Sequence, residues 1–146
     1  MSDLARKRIL VVDDDVHVLL ALRKRLNKAN FDVLTASKGS DALELARGTT
    51  IDAITLDVAM PGDLDGLDVA SALRLDPRTA HIPIIFVTGT ADADFKESCE
   101  AAGGKWFLAK PYDADLLVHL LNSVFATDEL AEIERVSQCK RRQPVK

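Results

Sequence analysis

A chain of 146 residues, 47% hydrophobic and 29% charged, carries enough apolar content for one folded domain and needs neither disulfides nor a metal to hold its core. Its formal charge of -4, from 19 basic and 23 acidic residues, argues against a surface built mainly for nucleic acid. Cys99 and Cys139 form no CxxC pair, no apolar run is long enough to cross a bilayer, and the opening residues lack the apolar centre of a secretory signal. Two reduced thiols in a cytoplasmic protein are therefore expected.

Ile9-Leu10-Val11-Val12 is a short apolar run of the kind that forms a buried strand, and it ends on Asp13-Asp14-Asp15. Three acids at a strand end repel one another unless a cation or solvent offsets them. From Val16 onward, Val16, Leu19, Leu20 and Leu26 predict the buried face of a helix, capped by Asp14 or Asp15, with Arg23, Lys24 and Arg25 near its end. Val33–Ala36 reads as a second strand. Gly39-Ser40 breaks the chain, and Ala42, Leu45 and Ala46 give a short helical stripe. Ala53–Leu56 reads as a third strand that delivers Asp57 to a turn at Met60-Pro61-Gly62.

Leu67, Ala70 and Leu73 mark a third helix, stopped by Asp76-Pro77. Pro83–Val87 is the fourth strand, ending on Thr88-Gly89. Phe95, Cys99 and Ala102 line a fourth helix closed by Gly103-Gly104. Trp106–Ala109 is the fifth strand, ending on Lys110-Pro111. Asp113 is placed to cap a fifth helix with Leu116, Leu117, Leu120, Leu121, Val124 and Phe125 on its buried side. Five alternations of strand and helix predict an α/β fold. Its five-stranded parallel sheet is covered on both faces, doubly wound, with strand order 2-1-3-4-5. From residue 127 to 146 the composition shifts. Leu130, Ile133 and Val136 suggest a helical extension, and Lys140-Arg141-Arg142 a basic tail.

In such a sheet the strand ends that carry Asp13 and Asp14, Asp57, Thr88 and Lys110 share one rim, and the strand order sets four of them side by side. Singly, each residue has a plainer explanation: a helix cap with solvated acids, a loop acid, a turn threonine, a surface lysine. Jointly they supply what divalent-metal phosphate chemistry needs. Carboxylates can hold Mg²⁺, an ammonium can offset phosphoryl charge, a hydroxyl can donate to a phosphoryl oxygen, and Asp57 can act as nucleophile.

The segments Ile9–Asp15, Leu56-Asp57-Val58-Ala59-Met60-Pro61, Asp65-Gly66, Val87-Thr88-Gly89 and Leu108-Ala109-Lys110-Pro111, and the intervals between them, resemble the response-regulator receiver domain of two-component signalling. Similarity covers about residues 6–126 and is nearest in kind to the single-domain chemotaxis-type regulators. It implies a flavodoxin-like (βα)5 fold and a phosphoacceptor that assists its own phosphorylation and dephosphorylation without being an enzyme. Asp57 would take phosphate from a sensor histidine kinase or a histidine phosphotransfer protein. Asp14, Asp57 and the Ala59 carbonyl would bind Mg²⁺, with Asp13 acting through water, and Lys110 would pair with the phosphoryl group. Thr88 and Phe107 would form a switch that repacks the face made by the fourth helix, fifth strand and fifth helix for a downstream protein. The Lys110-Pro111 bond would be cis. A monomer or weak dimer is implied, with no membrane or direct nucleic-acid contact. Plain core packing competes as a reading of Phe107, since Trp106 beside it could take the surface role.

One departure stands out. Gly62-Asp63-Leu64 separates Pro61 from Asp65-Gly66, one residue more than the family spacing. This bears on kinase docking and phosphate lifetime, as do Ala59 and Thr90, two residues beyond Asp57 and Thr88. His17, His81 and His119 share no metal-ligand spacing. Cys99 reads as a buried thiol and Cys139 as a tail residue. Other functions remain to be separated: the receiver part of a longer transcription factor or hybrid sensor kinase, a metal-dependent phosphohydrolase, and a receiver-like module that takes no phosphate.

Overall fold

The computed structural model describes residues 6–60, 62, 64–89 and 106–127. Five parallel strands, β1 (Arg8–Val12), β2 (Asp32–Ala36), β3 (Ala53–Asp57), β4 (Ile84–Thr88) and β5 (Trp106–Ala109), form one sheet in the order β2-β1-β3-β4-β5. The crossovers include α1 (Val16–Lys28), α2 (Gly39–Gly48) and α3 (Gly66–Leu75). A last helix covers residues 114–127. This is the expected doubly wound parallel sheet. The expected helix with Phe95, Cys99 and Ala102, its Gly103-Gly104 stop, Thr90 and the tail beyond 127 lie outside the described residues.

Side chains alternate across each strand, so the apolar runs feed two cores. Leu10, Val12, Ile54, Leu56, Ile84 and Phe86 face α2 and α3. Ile9, Val11, Ala53, Ile85 and Val87 face α1 and the 114–127 helix. All five residues of β3 are buried. β3 is therefore read as a near-continuous apolar run because both its faces are covered, and it still ends on a carboxylate.

Two helical faces differ from expectation. On α1 the buried residues are Leu19, Leu22 and Leu26, while Val16 and Leu20 are 56% and 58% exposed. At about 100° per residue, Leu26 lies between Leu22 and Leu19 on the helix circumference, whereas Val16 and Leu20 lie off to one side of that stripe. On the 114–127 helix Leu117, Leu121 and Val124 are buried and Leu116 is half exposed, again about 100° away from its neighbour Leu117. Leu120 and Phe125 are half-buried and pack against the same core. Gly39 and Ser40 open α2 rather than break the chain. A Cβ on Gly39 would come 2.8 Å from Val69 Cγ2 and 2.9 Å from Leu64 Cβ, so glycine lets α2 start hard against α3 and the loop before it.

Candidate functional site

The loops that leave β1, β3, β4 and β5 at their carboxyl ends build the site. After β1, the Asp15 side chain accepts the His17 N–H and caps α1, which turns the chain away and leaves Asp13 and Asp14 at the rim. Asp13 is buried and Asp14 exposed. The Asp13 Oδ1 accepts the Asp15 N–H at 2.9 Å. After β3, Asp57 is 3% exposed. Its Oδ1 accepts the Ala59 N–H at 3.1 Å and its Oδ2 accepts the Lys110 ammonium at 2.9 Å. The same ammonium lies 3.5 Å from Asp13 Oδ2. Carboxylate oxygens of Asp13, Asp14 and Asp57 all lie within 4.8 Å of one another.

Thr88 ends β4, and its carbonyl accepts the Lys110 N–H at 2.7 Å, tying the lysine's backbone to the threonine's strand. The Lys110-Pro111 bond is cis. Phe107 is half-buried and packs against the α2–α3 core, stacked on Phe86 with ring centroids 6.0 Å apart and planes at 22°.

The electrostatics follow from crowding. Burial pushes the Asp13 carboxyl up, and the charges of Asp57 and Asp14 add to this against a backbone hydrogen bond and Lys110. Burial alone would pull the Lys110 ammonium down. Its hydrogen bond to Asp57 and the charges of Asp13 and Asp57 outweigh that, and the net shift is upward. Three acids facing one ammonium leave an excess of negative charge at the rim. An all-oxygen donor set of this kind suits a hard divalent cation such as Mg²⁺, which prefers carboxylates and keeps several waters.

Two contributors were given no role from the sequence. A Cβ on Gly66 would fall 2.4 Å from the Asp57 carbonyl oxygen, and the Gly66 N–H donates to the Val58 carbonyl at 3.1 Å. Only glycine lets α3 start this close to the end of β3. The Asp65/Asp68 capping box fixes that start, and Gly62, at φ +112, gives the longer loop a conformation few other residues adopt. Tyr112 lines a groove of about 650 Å³ with Val18, Ala21, Leu22 and Lys110. Its hydroxyl is pushed up by burial and then by the Asp13 charge. A tyrosine after Lys-Pro carries no periodic signal, so only the fold shows it beside the acids.

The family profile described as "Response regulator receiver domain" matches residues 9–122. Protein PilH of Pseudomonas aeruginosa is 35% identical over 82% of this chain and 98% of its own length. Response regulator PleD of Caulobacter vibrioides is 36% identical over 87% of this chain, which spans only 29% of PleD. The crystal structure of the Vibrio cholerae chemotaxis protein CheY4 superposes with a TM-score of 0.78 at 29% identity, covering 82% of this chain and 99% of that one. The chain belongs to the response regulator receiver domain family, and its role is that of a phosphoacceptor in two-component signalling. Among the described residues no helix is long and apolar enough to cross a membrane.

Proposed function

We propose that Asp57 is the residue that takes the phosphoryl group, and that the acids, Lys110 and Thr88 around it serve that transfer. The observation that carries this is the buried Asp57 carboxylate, held by Ala59 N–H on one oxygen and by Lys110 on the other. An Asp57 oxygen attacks the phosphorus of a phosphohistidine, the P–N bond breaks, and the imidazole leaves with a proton from solvent. Asp14, Asp57 and the Ala59 carbonyl are the residues that would hold Mg²⁺, with Asp13 acting through water. The bound cation would supply charge neutralisation for the phosphoryl oxygens. Lys110 then shifts from the Asp57 oxygen to a phosphoryl oxygen, offsetting charge where it develops. The same groups serve hydrolysis of the acyl phosphate, so the domain assists its own phosphorylation and dephosphorylation.

Thr88 donates to the new phosphoryl group, and Phe107 repacks with it, since the added charge and acceptor oxygens favour whichever rotamer pair meets them. The stacked Phe86–Phe107 pair gives that change a packed neighbour to push on. The donor is a sensor histidine kinase or histidine phosphotransfer protein, and the output is a downstream protein partner that reads the face containing β5. A cytoplasmic monomer or weak dimer fits this role. The near-full-length match to PilH supports a stand-alone regulator. The partial match to PleD supports a second reading, in which the receiver works within a longer regulator. An uncut reading frame holding an effector domain would decide for the second.

Incubation with acetyl phosphate and Mg²⁺ tests the assignment. The parent gains the mass of one phosphate and Asp57→Asn gains none; equal labelling of both overturns it. In the same experiment the side-chain NMR signals of Phe107 shift on phosphorylation, and unchanged signals would remove Phe107 from the switch.

A further inference from the structure

We propose that a second site, at the opposite rim of the sheet from Asp57, binds the phosphate group of a small metabolite. A cavity of about 290 Å³ opens there, lined by Arg47 in the last turn of α2, by Thr49 and Thr50 after it, and by Arg78, His81 and Ile82 before β4. Two guanidinium groups meet beside it at one carboxylate. Asp76 Oδ2 lies 2.8 Å from Arg78 Nη2 and 3.2 Å from Arg47 Nε. Asp76 Oδ1 accepts the Arg78 side-chain Nε–H at 3.1 Å and its backbone N–H at 2.9 Å. The carboxylate thus fixes the plane of the Arg78 fork and holds Arg47 at one atom, and both guanidinium groups have N–H donors that Asp76 does not use.

The charge sum favours an anion. Arg47 and Arg78 against Asp76 leave one net positive charge. The carboxyl end of α2 contributes about half an elementary charge of the opposite sign, which falls off within a turn. Arg74 adds a further positive charge beneath the loop, where its Nη1 donates to the Ala80 and Ile82 carbonyls at 2.8 and 2.9 Å. Thr49, Thr50 and His81 add hydrogen-bonding groups at the cavity wall. This concentration of cations stands out on a chain whose net charge is -4. A pre-oriented fork, a second guanidinium, hydroxyl donors and a concave wall are the elements of phosphate recognition. The whole cluster is separate from the acids of the phosphoacceptor rim.

The test is an amide NMR titration of the full chain in Mg²⁺-free buffer, at ionic strength held constant with sodium chloride. One arm adds inorganic phosphate and the other adenosine monophosphate. Saturable shifts at Thr49, Thr50 and His81 are expected in at least one arm. Equal affinities mean that the phosphate group alone is read, and tighter binding of the nucleotide means that its sugar and base contribute. Arg47→Gln, which leaves the Arg78–Asp76 pair intact, weakens the affinity roughly tenfold, the value of one charge-assisted hydrogen bond. Arg78→Lys, which keeps the charge but loses the fork, weakens it as well. Shifts that rise linearly without saturating, that appear only at Ala59 and Thr88, or that keep the parent affinity in both variants overturn the proposal.

Discussion

Asp13→Asn should make the metal-free protein more stable while weakening its response to magnesium. Asparagine keeps the Oδ1 that accepts the Asp15 N–H, so the change removes charge with little change of shape. At no more than 4.8 Å and an effective dielectric near 20, each neighbouring acid repels Asp13 by at least about 3 kcal/mol, and Lys110 at 3.5 Å attracts it by about 5 kcal/mol. The repulsion from Asp14 is partly screened, because Asp14 is exposed. Desolvation of a side chain that is 4% exposed adds to the unfavourable side. The balance is a gain of about 1–3 kcal/mol for the variant without metal, or roughly 4 °C in Tm per kcal/mol. Urea unfolding of parent and variant, each with and without MgCl₂, measures both halves. In the parent, metal raises stability as RT ln(1 + [Mg²⁺]/Kd), about 2.7 kcal/mol at one hundred times Kd, and in the variant that increment shrinks. A variant less stable than the parent in metal-free buffer would refute the claim that charge repulsion dominates this rim.

Three further outcomes are expected. Gly66→Ala drives a methyl group into the Asp57 carbonyl and should cost about 1–3 kcal/mol by urea unfolding, with slower labelling by acetyl phosphate as β3 and α3 move apart. Thr79→Val removes a fully buried hydroxyl that donates to the Leu73 carbonyl at 2.7 Å, and should lower stability by about 1–2 kcal/mol with labelling unchanged. Asp76 is held down from 3.8 to about 2, chiefly by side-chain and backbone hydrogen bonds from Arg78 and then by the Arg78 and Arg47 charges. A lowered carboxyl stabilises the fold above its unfolded value and loses that contribution as pH falls through its folded value. Stability between pH 4 and pH 2 should therefore fall less steeply in Asp76→Asn than in the parent, and parallel curves would count against the pairing.

Strand order and the shared rim were legible because period and punctuation carry them. Four apolar runs each end on a polar residue, and parallel pairing then brings Asp13, Asp57, Thr88 and Lys110 to the same edge. Helix orientation was less legible. Val16 and Leu20 satisfy a helical stripe as well as Leu22 does, and only docking on the sheet decides which of them is covered. Leu116 was misplaced for the same reason, since a helix rich in leucine offers several stripes of similar strength. Gly66 was part of the Asp65-Gly66 match but was given no role, and Tyr112 escaped notice, because their roles depend on approaches between segments distant in sequence. The Arg47, Arg78 and Asp76 cluster joins the end of one helix to the loop after another, and no local pattern announces it.

β3 is paired along its length with β1 on one side and β4 on the other, and the pairing with β4 reaches Asp57 itself, opposite Val87. A strand clamped on both flanks and buried on both faces would resist displacement if its last side chain gained bulk and charge. Displacement would then pass to β5, the edge strand, which is paired on one side only. On the proposed phosphorylation of Asp57, the stiffness of the centre would turn a chemical event at one carboxylate into movement at the sheet's edge.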